Sequence, residues 1–218
     1  MTRSVFDPDF DELPRALPIF PLAGALLLPG GRLPLNVFEP RYLSMTSDAI
    51  VGDRMIGMVQ PLDGDRDADH PQVYRIGCAG RIVSFSETDD GRYLITLSGL
   101  IRFDIAEELS MKNGYRRVAP AYDRFQSDMD ETNDEIDRDA LLCALTEFFT
   151  SNGIEGDWDA IKQTPDERLI TSLAMICPFE PSEKQALLEA ISLAERANTM
   201  ITILRMSAHQ GAGEGEPN

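Results

Sequence analysis

Residues 17–45 read LPIFPLAGALLLPGGRLPLNVFEPRYLSM, and the fold turns on whether LAGALLL is the apolar middle of a secretion signal, the start of a membrane span or buried sheet. A signal peptide needs a basic start, an apolar run of roughly 7–15 residues and a small-residue cleavage site. The chain instead opens on the acidic FDPDFDE (residues 6–12), and Pro18, Pro21, Pro29 and Pro34 cut the apolar run into short pieces. A spanning helix needs roughly 18 uninterrupted apolar residues, which the sequence does not offer. The expectation is a soluble, unprocessed, cytoplasmic protein. Here IFPL, GALLLP and RLPLNVF are short bent strands, with Pro29, Gly30 and Gly31 as a turn.

Working outward, Pro40 suits a first helical turn, and Tyr42, Met45 and Ala49 recur at helical spacing, so one helix crosses the sheet. RMIGMVQ (residues 54–60) and VYRIGCAGRIVSFSE (residues 73–87) return to strand character, the latter with Gly77 and Gly80 as bends. Asp90-Gly91 between alternating runs is a strong hairpin signal leading into RYLITLS. IRFDIAEEL and YRRVAPAYD bring the expected total to about seven or eight strands, a density that fits a sandwich or closed barrel. After the charge-dense stretch 123–139 the period becomes helical. Ile136, Ala140, Leu141, Leu145 and Phe148 share a face that stops at Asn152-Gly153. Capping boxes are expected at residues 164–167 and 182–185, opening helices that carry Leu169, Ile170, Leu173 and Ile176, then Leu187, Leu188, Ile191 and Ala194 through to Met206. The expected organisation is α+β: a β-rich lobe over 10–124, an acidic linker over 125–133, a helical lobe over 134–206 and a disordered Gly-rich tail over 207–218.

The 218 residues carry 37 acidic and 20 basic side chains, net −17, which opposes the phosphate attraction behind most nucleic-acid affinity. Nucleic acid and anionic membrane are therefore not expected as partners. Cys78, Cys143 and Cys177 are odd in number and form no C-x-x-C pair, as in a reducing compartment, and all three are expected to be buried thiols. Lys112, Lys162 and Lys184 are the only lysines, and none completes a G-x-x-x-x-G-K-[ST] loop or the base of a Ser–Lys dyad, each being expected in solvent. His70 and His209 sit in a loop and a tail, so no triad is expected. Asp63, Asp65, Asp67 and Asp69 alternate like calcium ligands, yet Ala68 and Tyr74 stand where that loop type wants Gly and Glu, and a solvated turn is the expectation. No metal, cofactor or catalytic residue is expected.

Polar groups embedded in apolar sequence remain: Glu39 and Arg41 in VFEPRYL and Arg102 in SGLIRFDI, expected to pair and hold bends. With Pro29, Gly30 and Gly99 they form the structural motif of the β-rich lobe. Three segments, LPIFPLAGALLLPGGRLPLNVFEPRYLSM, YRIGCAGRIVSF and LITLSGLIRFDI, resemble in order and spacing the amino-terminal substrate-recognition domain of the Lon protease family. Its stand-alone bacterial relatives look closest, through FEPRY, and the likeness runs from about Leu13 to Met206. The resemblance implies a PUA-like β pseudo-barrel followed by a small helical bundle. It also implies binding of unfolded or tagged polypeptide, as an adaptor in proteolysis or quality control beside a protease, without the ATPase and Ser–Lys protease modules of full-length Lon. Fold alone does not fix function, and a small-ligand or metal sensor with a pocket between the lobes is the alternative. For polypeptide, Leu28, Phe38, Arg41, Met55 and Met58 are the expected contacts beside an open sheet edge, the core being the alternative place for the apolar four.

Overall fold

The computed structural model describes residues 4–62, 70–130 and 134–213, with side chains described up to residue 209. The chain divides into two compact units, Met1–Glu131 and Thr132–Asn218.

The first unit is a six-stranded sheet among the described residues: β1 (Leu17–Pro21), β2 (Arg32–Val37), β3 (Met55–Val59), β4 (Ile76–Glu87), β5 (Tyr93–Lys112) and β6 (Tyr115–Ala121), with helix α1 (Pro40–Val51) between β2 and β3. The order is β2-β5-β4-β3-β1-β6, and β6 pairs again with the far half of β5, so five strands close on themselves. This is the pseudo-barrel. β2 alone hangs outside the closure, antiparallel to the first half of β5 from Arg32↔Ser98 to Val37↔Tyr93. Leu17, Ile19, Met55, Ile101 and Phe103 fill the interior.

Two expectations change here. RYLITLS and IRFDIAEEL are one 20-residue strand, because bulges in its pairing let the strand bend from one partner to the next without a break. GALLLP is a loop instead of a strand, and Leu26, Leu27 and Leu28 are buried from it. Gly99 explains how: Gly30 N–H donates to Gly99 O and Gly99 N–H to Gly31 O, and a Cβ at Gly99 would sit on the carbonyl of Leu28. Gly30, at φ +74°, turns the chain back toward β2.

The expected linker is also different at its start. Asp123–Met129 is a 3-10 segment with Phe125 buried, anchored because Asp128 reaches the buried Arg102.

The second unit is α2 (Arg138–Asn152), α3 (Trp158–Gln163), α4 (Asp166–Ile176), α5 (Pro181–Glu189) and α6 (Leu193–Gly213), with α2 packed along α6. Asp137 caps α2 through Ala140 N–H, and Gly153 ends it in the left-handed region. The expected 164–167 box does not form, because the Thr164 hydroxyl donates to Ala160 O at the end of α3, and Pro165 precedes α4. The second box is Glu180 with Glu183, two residues earlier than expected, with Pro181 at the first helical position. One expected long helix is two, broken at residues 190–192, where Arg196 donates to Leu187 O and Ala190 O. Part of the expected disordered tail, residues 207–213, continues α6.

Candidate functional site

Because β2 lies outside the barrel, the first half of β5, the second half of β4 and β2 form a three-stranded overhang. Its inner face continues the core through Leu35, Val37, Ile95 and Leu97. Toward the hairpin tip the core runs out. Phe85, opposite Ile95, is 41% exposed and meets Tyr93 edge-on at 5.0 Å between ring centroids. Tyr93 in turn shares a hydrogen bond with Ser47 of α1. Leu94 points the other way and is 45% exposed, and Val83 stands at a register shift, 38% exposed. Among the described residues β5 is the only strand paired with β2, so the outer edge of β2 presents main-chain donors and acceptors. Pro34 is tolerated within β2 because an edge strand has one unpaired side.

The residues expected to contact polypeptide are dispersed. Leu28, Met55 and Met58 are fully buried, so they are core: Met55 and Met58 stand three apart in β3 and face opposite sides of the sheet, and both sides are covered. Phe38 is 63% exposed just beyond β2, and Arg41 is half-buried, donating to Glu39 and lying 4.9 Å from the Tyr42 ring centroid. Val83, Phe85 and Leu94 were not anticipated. Tyr93-Leu94-Ile95 held the signal: three successive apolar residues in a strand force one of them onto the opposite face.

The remaining motif residues have structural partners. Pro29 and Gly30 form the turn that meets Gly99, and Glu39 precedes α1 with Pro40 at its first position. Arg102 forks onto Asp128 at 2.7 and 2.9 Å, while Asp128 Oδ2 also accepts the Arg102 backbone N–H. The guanidinium also lies 4.7 Å from the Phe125 ring centroid. Asp48 on α1 accepts from Tyr115 and Asn113 and pairs with Lys112, and these donors hold its carboxyl below the usual range.

Two expectations about reactive groups fail. Cys143 is exposed on α2, donating weakly to Glu147, because its position falls off the α2 face that packs. Lys184 is buried within α5, and burial lowers its pKa, while burial pushes the nearby Cys177 thiol up to about 11. A thiol held protonated in this way is a poor nucleophile. Among the described residues no group of three or more His, Cys, Asp or Glu side chains is placed to hold a metal ion. Asp63, Asp65, Asp67 and Asp69 lie outside the described residues. Among the described residues no helix is long and apolar enough to cross a membrane.

The chain belongs to the ATP-dependent protease La (LON) substrate-binding domain family, whose model matches residues 16–206. It is similar to Lon protease 2 of Myxococcus xanthus, 27% identical over 198 residues, covering 89% of this chain and 24% of that protein. It is also similar to a Lon protease of Flavobacterium johnsoniae, 33% identical over 101 residues, covering 46% of this chain and 12% of that protein. The chain thus spans a quarter or less of these two relatives. A crystal structure of a Lon N-terminal domain protein from Xanthomonas campestris shares the fold, with a TM-score of 0.60 and 24% identity, over 86% of this chain and 97% of that one. So does the N-terminal domain of a Mycobacterium avium complex Lon protease, with a TM-score of 0.59 and 14% identity, over 87% of this chain and 97% of that one.

Proposed function

We propose that this member of the family binds extended, apolar stretches of unfolded or tagged polypeptide at the β2 overhang, as a non-catalytic adaptor that presents them for proteolysis in the cytoplasm. The observation that carries the reading is the open edge of β2, with Leu94 exposed opposite Asn36 on the neighbouring β5 and Val83 and Phe85 exposed one strand further on, in β4. A strand edge supplies main-chain hydrogen bonds that demand no particular sequence, and side chains of alternate residues find the apolar positions. The surplus of acidic charge favours segments flanked by Lys or Arg and makes binding weaken with salt. The non-catalytic reading is supported at Cys177, which burial holds as a thiol.

The test is titration of a fluorescent reduced casein fragment at two salt concentrations, against wild type and Leu94→Asp. Dissociation constants on the order of micromolar or weaker are expected, with loss on substitution and at high salt. No binding at either salt by the folded protein overturns the reading, as does ATP or peptide turnover by homogeneous protein.

A further inference from the structure

The helical unit contains an apolar groove that the overhang does not use. Its floor is Phe149 at the end of α2 and Leu169 and Leu173 of α4; its walls include Ile161 of α3 and Ile176, and its volume is about 640 Å³. Ile176 is 80% exposed although it continues the Leu169–Leu173 stripe of α4. A stripe that ends on so exposed a branched side chain has apolar surface left to cover.

We infer that this groove docks a short amphipathic helix whose apolar face is flanked by Lys or Arg, a second class of polypeptide segment that rests on the polypeptide-binding reading above. Helix is favoured over strand by the walls. They are helices whose backbone groups bond within themselves, so an incoming segment finds no ladder of partners and must satisfy its own N–H and C=O groups. Basic flanks are favoured by the rim. Asp157 and Arg168 line the groove, one charge of each sign, and the surplus is in the stretch around it, where residues 154–168 carry five acidic side chains against two basic ones, Lys162 and Arg168. The size of the groove suits a few apolar anchors of one helical face, spaced i, i+3, i+4 and i+7. The α3 wall is adaptable, since α3 has no buried residue.

The probe is a labelled helical peptide with Leu at i, i+3, i+4 and i+7 and Lys elsewhere, titrated into the full chain. Wild type is expected to bind it about tenfold or more tightly than Ile176→Lys, a substitution at an exposed site that leaves the circular dichroism spectrum unchanged. Ser172→Trp, which fills the groove, is expected to act in the same direction. Leu94→Asp should retain the helical peptide, and Ile176→Lys should retain the casein fragment. Equal binding to wild type and Ile176→Lys, or equal binding of a peptide with Glu in place of Lys, overturns the inference while leaving the overhang reading standing. Loss of casein binding alone overturns the overhang and not the groove. A small apolar dye that wild type binds and the peptide fails to displace identifies a small-molecule groove and overturns the inference. So does light scattering that shows a wild-type dimer and a monomeric Ile176→Lys, since the occupant is then a second copy.

Discussion

The two units are held together in different ways. In the β unit, position is set over long sequence distances: Gly99 closes on Leu28, Arg102 on Asp128, and β1 runs parallel to β3 while β6 covers its other side. In the helical unit, short helices are tied by arginines that cap carbonyl ends. Arg138 donates to Ile161 O, Lys162 O and Thr164 O and pairs with Asp166, and Arg196 does the same service for the end of α5. A buried charge pair fails abruptly when one partner goes, whereas partly exposed caps, whose partners water can take over, fail by degrees. The two proposed sites follow the same division, with a fixed edge in one unit and an adaptable wall in the other.

The sharpest way to break that contrast is Asp128→Ala. Arg102 is only 2% exposed, so removing its carboxylate leaves a buried guanidinium uncompensated, and a loss of about 3–5 kcal/mol is expected from denaturant titration. Because burying the pair is itself costly, Arg102→Met with Asp128→Leu should recover much of it. A loss under about 1 kcal/mol for Asp128→Ala would show that the pair is ornamental and the β unit as redundant as the helical one.

Alkaline titration separates the units spectroscopically. All five tyrosines lie in the β unit, and Trp158 lies in the helical unit. Tyr115 is raised to about 12, first by burial and then by its hydrogen bond to Asp48, and burial raises Tyr42 and Tyr122 as well. An unfolded tyrosine ionises near pH 10. The stability that depends on these neutral phenols is therefore complete below about pH 10 and is lost as pH climbs through the raised values. In the helical unit two shifts oppose each other: raised Cys177 costs stability as pH rises, whereas the penalty of burying charged Lys184 disappears. Tyrosinate absorbance should thus report unfolding of the β unit at a lower pH than any change in Trp158 fluorescence. Coincident transitions would refute the distinction.

Much of this was legible from residues alone, and what was not had a common cause. The Pro29-Gly30 turn, the Asp90-Gly91 hairpin, α1 after Pro40 and the end of α2 at Gly153 are local signals, where one or two residues fix the backbone. The burial of Leu26, Leu27 and Leu28 from a loop depends on Gly99, some 70 residues away, and no local pattern distinguishes it from a strand. The same holds for the continuous β5, whose two apolar runs looked separate because the strand changes partners between them. The site suffered most. Met55 and Met58 belong to β3, which is buried throughout, while exposure of Phe85 and Leu94 follows from how far β4 and β5 extend beyond the barrel.

Arg138→Ala tests the helical unit at its strongest tie. The side chain is about a quarter exposed, so solvent weakens each bond, and about 1–2 kcal/mol is expected overall. Arg138→Lys should not rescue it, since an ammonium cannot replace the planar fork that reaches three carbonyls and a carboxylate. Limited proteolysis of Arg138→Ala should cut first within residues 153–165. Cleavage of the β unit at the same rate would mean that the two units do not fail separately.

The smallest expected effect is at Asp157, where the two units differ most. Its side chain accepts Ala160 N–H and starts α3, a six-residue helix with no buried residue, held otherwise by the Phe149–Trp158 ring contact and by Arg138. Losing an N-cap costs about 0.5–1 kcal/mol of helix stability, and a helix this short has little else to lose. Asp157→Ala should therefore fray α3 and shift Trp158 fluorescence while global unfolding moves barely at all. The casein fragment should bind Asp157→Ala as it binds wild type, because the overhang lies in the other unit. The basic helical peptide should bind less well, since one acidic group leaves the rim and one wall of the groove loosens together. If Trp158 fluorescence and peptide affinity both stay unchanged, α3 is held by packing instead of by its cap, and the helical unit is as rigidly fixed as the barrel.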